Sequence, residues 1–444
     1  MTKDAVPGRR PRLFVGVQEI AGYYCGIVDE LRKMGYRITF AGSAHSFAYG
    51  STDAALGLAR WHDRCLASFA ATRRSGRIVN LLWFLLLRVS RVALLCVTAV
   101  TCDLFIFSFG RSFFPGGHDL WLLKALGKRV IVNVGHGSEA RPPYLDGALF
   151  DRGGNWPLAA RLHRRTARMV RHLRRIERYA TVMVGAPLTS QFLNGTLINW
   201  FALGLPDRAQ LCAAPVTKPA GRSGVIRIVH APSHPICKGS NEIRAMVQDL
   251  RAEGLDIDLI ELVGRPNQDV LDELAACDFV IDQLYSDTPM AGLAMEAAAF
   301  GKPSVVGGYG FDVLRPLVPA DMWPPSAICH PAQLKETVRR LAEDADYRLR
   351  LGEEARRFVA EKWGRNTAAR WATLIEGRAP DDWFYDPASV CYTFGCGIER
   401  HVLARSLGAY LKLFGRKGLF LEHRPDIERA IIDLATKSEA GAEC

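Results

Sequence analysis

From residue 225 onward, short apolar runs alternate with amphipathic stretches four times in succession, and this alternation restricts the fold more than any other feature. VIRIVHAP (225–232), IDLIELVG (257–264), FVIDQL (279–284) and KPSVVGG (302–308) are the apolar runs. Between them lie KGSNEIRAMVQDLRAEG (238–254), NQDVLDELAACD (267–278) and AGLAMEAAAFG (291–301). The runs are short and largely apolar, as strands of a parallel sheet covered by helices are. Strands that alternate with helices pair in parallel, with right-handed crossovers and helices on both faces.

A second, earlier series has the same grammar. RLFVGV (12–17) is a strand, GIVDELRKMG is a helix closed by Gly35, and YRITFAG (36–42) is a strand. DLFIFSFG (103–110), HDLWLLKALG (118–127), KRVIVNVGHG (128–137) and TVMVGAP (181–187) continue it as strand, helix, strand and strand. At 444 residues the chain suits two domains rather than one core. The expected division is residues 1–205, a linker at 206–224 rich in proline, glycine and small residues, a second domain at 225–377, and a C-terminal extension at 378–444. One amphipathic helix is expected over 332–363. The extension contains the helix-like run HVLARSLGAYLKLFG; it crosses back onto the first domain or makes a dimer contact.

The formal charge of +11 is concentrated. RLHRRTARMVRHLRRIER (161–178) holds eight arginines against one glutamate, a surface for an anionic partner or an ordinary solvated face. The aromatic interleaving of single-strand nucleic-acid binders is missing, so nucleic acid is not expected. IVNLLWFLLLRVSRVALLCVTAV (78–100) is interrupted by Arg88 and Arg91 before it reaches the roughly 18 residues of a membrane span. The expectation is a mostly buried helix with one wet stripe of Arg77, Asn80, Arg88 and Arg91, the alternative a helix lying on a bilayer. Eleven cysteines without metal-ligand rhythm read as reduced structural thiols. The polar, basic start MTKDAVPGRRPR argues against a secretory signal, and a cytoplasmic location is expected.

In open parallel sheets ligands bind outside the carboxyl ends of the strands. Lys238 and Gly239 follow the strand 225–232, where a lysine beside helix N–H groups would hold a diphosphate; a solvated lysine is the plain alternative. Glu296 sits among Met295, Ala297, Ala298 and Ala299, and a carboxylate there needs a partner, either a sugar or ribose hydroxyl or an internal cation. His136, between two glycines in GHGSEAR (135–141), is placed to reach a cleft as donor or proton shuttle, or else to pack or cap. Gly22 would let an acceptor or phosphate approach the backbone after the first strand. Asp256 and Asp258 lead into a strand instead of ending one, the wrong end of a sheet for a metal–nucleotide site. A dinucleotide G-x-G-x-x-G after the first strand, a P-loop and a G-x-S-x-G elbow are all absent.

Taken in order, IVHAPSHPICKGS, LVG, ACDFVIDQL and EAAAFGKPSVV across 228–306 resemble the donor domain of GT-B glycosyltransferases of the family 4 type. DLFIFSFGRSF and VGHGSEAR resemble that family's acceptor-domain loops, so the resemblance runs from about residue 12 to 376. It implies an α/β fold of two facing Rossmann-like domains with a C-terminal helical extension. It also implies sugar transfer from a nucleotide-diphospho-sugar to a glycan or lipid-linked acceptor, with retention and with no cofactor or bound metal. Lys238 matches the lysine on the donor diphosphate and Glu296 the second glutamate of E-x7-E, which contacts the ribose. His136, Lys238 and Glu296 are the implied catalytic residues; Gly22, Ser233, Lys238, Gly239, Gly292 and Glu296 the implied donor-binding set. The sequence departs from the family twice. Thr288 stands where the first glutamate belongs, and Pro232 and Ser233 occupy the stretch of the missing arginine, with His230 or His234 as substitute donors. These losses motivate a second expectation, a non-catalytic module of the same fold that binds a glycan or a protein. In the transferase reading the basic helix 161–178 would hold the enzyme against an anionic membrane face, near a lipid-phosphate acceptor, making it peripheral.

Overall fold

In a computed structural model, residues 10–43, 57–72, 76–151, 155–206 and 224–440 are described. Twelve strands are found among them: β1 Leu13–Gln18, β2 Ile38–Ser43, β3 Leu104–Phe107, β4 Arg129–Val134, β5 Val182–Gly185, β6 Leu197–Asn199, β7 Ile226–His230, β8 Ile257–Glu261, β9 Phe279–Gln283, β10 Ser304–Gly307, β11 Ala327–Cys329 and β12 Phe384–Tyr385. They form two sheets, ordered β12-β6-β5-β4-β3-β1-β2 and β11-β10-β9-β7-β8. In the first, β1 pairs in parallel with β2 and β3, and β3 with β4, while β12 joins β6 antiparallel. Every pairing in the second is parallel. The chain is an α/β protein with two Rossmann-like sheets.

Each sheet has a topological switch point. β1 lies between β2 and β3, and β7 lies between β8 and β9, so the strand order reverses direction there. Crevices open outside the carboxyl ends of strands at such points. In the second sheet, alternate side chains feed separate cores on the two faces. Ile228, Phe279 and Ile281 pack with Ile243, Val247, Leu250 and Val338; Val229 and Val280 pack with Leu271, Leu274 and Ala297. In the first, Phe14, Phe105, Phe107 and Phe113 form one aromatic cluster with centroids 4.8–6.3 Å apart.

By compactness the chain divides into two discontinuous units. One comprises Met1–Val134, His172–Val184 and Thr367–Pro380; the other Gly135–Arg171, Gly185–Asn366 and Asp381–Cys444. The expected linker, 206–224, lies outside the described residues except for its ends. In the first unit, the helix Gly364–Ile375 contributes Trp371, whose indole donates to Tyr23 at 3.2 Å, and the Ile375 carbonyl, which accepts from Arg129 at 2.7 Å. In the second, the extension folds as helices Arg400–Phe414 and Pro425–Ala440. Tyr410 reaches His163 at 3.2 Å, and Tyr144 donates to the Leu419 carbonyl at 2.8 Å.

Two expectations are corrected. The stretch 332–363 is not one helix: Asp344, its side chain capping the Tyr347 amide at 2.8 Å, separates Leu334–Glu343 from Ala345–Glu361. The helix Arg77–Thr101 is not mostly buried. Its inward residues are Leu87, Ser90, Leu94, Leu95 and Thr98, and its apolar majority faces outwards.

Candidate functional site

The turn after β7 carries most of the expected residues. Ser233 is exposed on it. Pro235 then starts a one-turn helix, Pro235–Lys238, so Lys238 ends this turn instead of opening the next helix, as the sequence suggested. Gly239, in the left-handed region at φ 74°, is the N-cap of Ser240–Ala252. A Cβ at 239 would come within 2.6 Å of Leu284, so glycine is required there twice over. No hydrogen-bond partner is found among the described residues for the amides of Ser240, Asn241 and Glu242.

The Lys238 ammonium points to the carboxyl end of β9. It donates to the Gln283 side chain and lies 3.7 Å from Asp282 Oδ1. Asp282 is buried and its Oδ2 has no hydrogen-bond partner among the described residues. An anion at Lys238 would therefore share the ammonium with a carboxylate already there. His230 is excluded as the substitute phosphate donor. It is fully buried, with Nδ1 2.7 Å from the Ile281 carbonyl and Nε2 2.8 Å from Ser240 Oγ, and burial holds it below the usual histidine range. His234 caps the Pro235–Lys238 turn through Nδ1, 3.4 Å from the Cys237 amide, which leaves Nε2 as its donor side.

Glu296 is buried on the helix Gly292–Ala299, with Gly292 as its first residue. Its Oε1 accepts from the Asn267 side chain at 3.3 Å. Asn267 opens the helix after β8, so loops from two neighbouring crossovers meet at one carboxylate. Thr288 is occupied locally: its amide donates to Ser286 Oγ at 3.1 Å and its hydroxyl to the Met290 carbonyl at 3.1 Å.

The loop after β4 brings residues that the sequence reading missed. His136 is half-buried, with its ring edge-on to Trp200 at 6.4 Å, and desolvation pushes it down to about 3. It is a neutral imidazole at ordinary pH and carries no cationic charge to a phosphate. Its amide donates to Glu139 at 2.6 Å. Burial pushes Glu139 up to about 7, against the pull of backbone amides and Arg141. Arg141 is buried and forked. It reaches Asp287 through Nε at 2.8 Å and Nη2 at 2.7 Å, and Asp146 through Nη1 at 2.9 Å. Its two partners hold the guanidinium well above its ordinary range although desolvation opposes them. Tyr392 donates to the second Asp287 oxygen at 3.2 Å. Asp287 immediately precedes Thr288, the position of the missing glutamate, but its carboxylate is consumed by Arg141 and Tyr392.

The extension itself enters this cluster. The Cys396 carbonyl accepts from the Gly147 amide at 2.8 Å, and the Gly397 amide donates to the Tyr285 carbonyl at 2.8 Å. At Gly395 the chain passes so close to the Leu145 carbonyl that no Cβ fits. Residues 392–397 thus line the rim formed by the loops after β4, β7 and β9. A separate groove of about 1200 Å³ lies between the helices Ser240–Ala252 and Arg400–Phe414, and none of the expected site residues lines it.

Gly22 belongs to the first unit. It is the N-cap of Tyr23–Lys33 at φ 79°. The buried Glu19 carboxylate accepts from the amides of Ile20, Tyr24 and Cys25 at 2.7, 3.1 and 2.8 Å. The donors that an acceptor phosphate would have used at Gly22 are already taken. Among the described residues no cluster of three metal-ligating side chains occurs.

No family model matches the sequence, and no curated protein matches it. Among solved structures the chain is similar to an alpha-glucosyltransferase in complex with UDP and a mismatched DNA, at 13% identity and TM-score 0.48, covering 83% of this chain and 99% of that one. It is also similar to sucrose-phosphate synthase from Thermosynechococcus elongatus, at 13% identity and TM-score 0.44, covering 83% and 99%. A third is Anabaena HepE in complex with UDP and glucose, at 11% identity and TM-score 0.44, covering 83% and 100%.

Proposed function

We propose that this protein is a glycosyltransferase that moves a sugar from a nucleoside-diphospho-sugar to a glycan or lipid-linked acceptor, retaining the anomeric configuration, without a bound metal, on the cytoplasmic side of a membrane. The observation that carries the reading is the convergence at the switch point of the five-stranded sheet. An ammonium (Lys238), uncapped helix amides (Ser240–Glu242) and a buried carboxylate–amide pair (Glu296–Asn267) sit at the carboxyl ends of adjacent strands. That set suits an anionic diphosphate and a ribose diol. Lys238 neutralises the departing diphosphate, with the helix end adding its partial positive charge. Neutral His136 orients the sugar by hydrogen bonding, and Glu139, titrating near neutrality, is a second proton-holding group beside it. The basic face 161–178, with eight arginines against one glutamate, would lie towards anionic lipid.

A thermal-shift screen of nucleoside diphosphates and their sugars, followed by mass analysis of products, tests this. Stabilisation by one nucleotide series, lost in Lys238→Ala, is expected. A second reading, a non-catalytic binding module, draws on the sealed Asp287 carboxylate and on the Asp282 and Gln283 contacts of Lys238. It predicts no melting shift with any nucleotide and no transfer.

A further inference from the structure

The helix Arg77–Thr101 has an outer face that stays exposed among the described residues. Ten of the seventeen exposed large apolar residues among the described ones lie on it. Elsewhere such residues are scattered singly, as in ordinary soluble proteins. Ile78, Leu82, Leu85, Val89, Val92 and Val100 recur at helical spacing, so the stripe follows the whole helix, roughly 37 Å at 1.5 Å per residue. The helix is long and apolar enough to cross a membrane.

The opposite face is settled in protein. Leu87, Leu94 and Leu95 are buried, and the hydroxyls of Ser90 and Thr98 donate to their own helix at 2.9 and 2.6 Å. Asn80 ties the helix to the neighbouring Gly57–Ala71 through the Phe69 carbonyl at 3.1 Å. A spanning orientation would strip this packed face from the unit and leave Arg88 and Arg91 in hydrocarbon. The alternative consistent with both faces is a helix lying in the plane of a surface.

The charges decide which surface. Arg88 stacks on Phe84 at 5.0 Å and Arg111 on Phe109 at 6.0 Å. Arg91 lies near both, and the proximity of Arg88 and Arg111, after desolvation, lowers its affinity for its proton. None of the three forms an ion pair among the described residues, and Arg91 Nε is buried there without a hydrogen-bond partner. Asp119, the acid that acts on Arg91 among the described residues, is committed to Ser112 at 2.7 Å and the Phe113 amide at 3.1 Å. Three guanidiniums beside an apolar stripe lack anions. A second copy of the chain would not supply them: pairing the stripe about its midpoint brings Arg88 against Arg88.

We infer that Arg77–Thr101 is a membrane-seating element that lies in the plane of an anionic bilayer, its apolar stripe in the acyl boundary and Arg88, Arg91 and Arg111 on lipid phosphates. This requires no catalytic assignment and stands or falls separately from the transferase reading.

Flotation of the full chain with phosphatidylcholine vesicles, with and without phosphatidylglycerol, tests it. The wild type floats with the anionic vesicles, and salt at about 0.5 M weakens but does not abolish binding, because the apolar part is unscreened. The combined Leu82→Gln, Leu85→Gln and Val89→Gln variant, changed only at exposed positions, keeps the wild-type circular dichroism and melting curve and loses at least about tenfold in vesicle partitioning. Arg88→Glu loses the preference for phosphatidylglycerol. A polarity-sensitive dye on the exposed Cys96, in a background with Cys212, Cys391 and Cys444 replaced by serine, shifts to the blue on anionic vesicles. The inference is overturned if the wild type stays at the bottom of the gradient with anionic vesicles, or if the triple variant floats like it. A dimer by light scattering that the triple variant dissociates, without any change in flotation, assigns the face to a second copy.

Discussion

The turns after β1 and after β7 are built alike and finished differently. Each leaves the strand next to the edge of its sheet, at the switch point, and enters a helix through a left-handed glycine, Gly22 at 79° and Gly239 at 74°. At the first, Glu19 closes the helix end with three hydrogen bonds from backbone amides. At the second, no side chain caps the helix and an ammonium stands beside it. The same local geometry is thus self-sufficient in one sheet and incomplete in the other. A helix end satisfied by its own chain has no use for an anion; one left open beside a lysine does.

The largest effect belongs to Arg141, which fixes the loops around the open turn. Arg141→Ala leaves Asp146 and Asp287 buried without a cation and is expected to cost about 3–5 kcal/mol in urea unfolding. Arg141→Lys keeps the charge but cannot make the forked contact, and recovers only part of that. A loss no larger than that of a surface substitution would mean that the cluster is not a structural unit. Next comes Glu19. Glu19→Ala orphans three amides at a buried helix end, at an expected cost of roughly 2–3 kcal/mol, and Glu19→Gln recovers some of it. If Glu19→Ala melts like the wild type, the first turn is not closed as described and the contrast between the turns fails.

Much of this was legible beforehand and some could not have been. The strands β7 to β10 were readable because each is a short, largely apolar run bounded by turn residues and followed by a helical stretch, and Gly35 and Gly239 mark element ends through backbone chemistry local to them. Glu19 was not readable: its partners are backbone amides, which leave no trace in neighbouring residue types. Arg141 and Asp287 are 146 positions apart, and no local pattern connects them. Lys238 was found but assigned to the wrong helix, because Pro235 starts a turn that the helical pattern of 238–254 conceals. In Arg77–Thr101 both faces are apolar, so periodicity identified the helix but not the face that packs. The extension was opaque because Tyr392 and Gly395–Gly397 act through close approach to remote loops.

A titration sharpens the comparison further, since a second buried carboxylate, Glu139, accepts from the His136 amide and burial pushes it up to about 7. A carboxyl raised above its unfolded value binds its proton more tightly when folded. Its contribution is therefore full below about pH 4.5 and is lost as the pH rises through 7. Glu139→Gln removes that loss while keeping an acceptor for the amide. The variant is expected to exceed the wild type by about 3 kcal/mol above pH 7, with the difference vanishing towards pH 4.5. A difference independent of pH would show that Glu139 does not titrate in this window.

Lys238 has the smallest expected effect on the fold and the most direct bearing on the open turn. Its ammonium is partly exposed and 3.7 Å from Asp282, so Lys238→Ala should cost only about 1 kcal/mol in the absence of ligand. The effect on nucleotide is of another kind. A ligand at a hundred times its dissociation constant stabilises the fold by about 2.7 kcal/mol, and a tenfold loss of affinity removes about half of that. Comparing the UDP-dependent melting shift of the wild type, Lys238→Ala and Glu19→Ala separates the two turns. If the second turn is the anion site, Lys238→Ala loses about half of the shift or more and Glu19→Ala, though less stable, retains it in full. The reverse pattern would move the ligand to the first sheet. Equal shifts in all three proteins would place the diphosphate at neither turn.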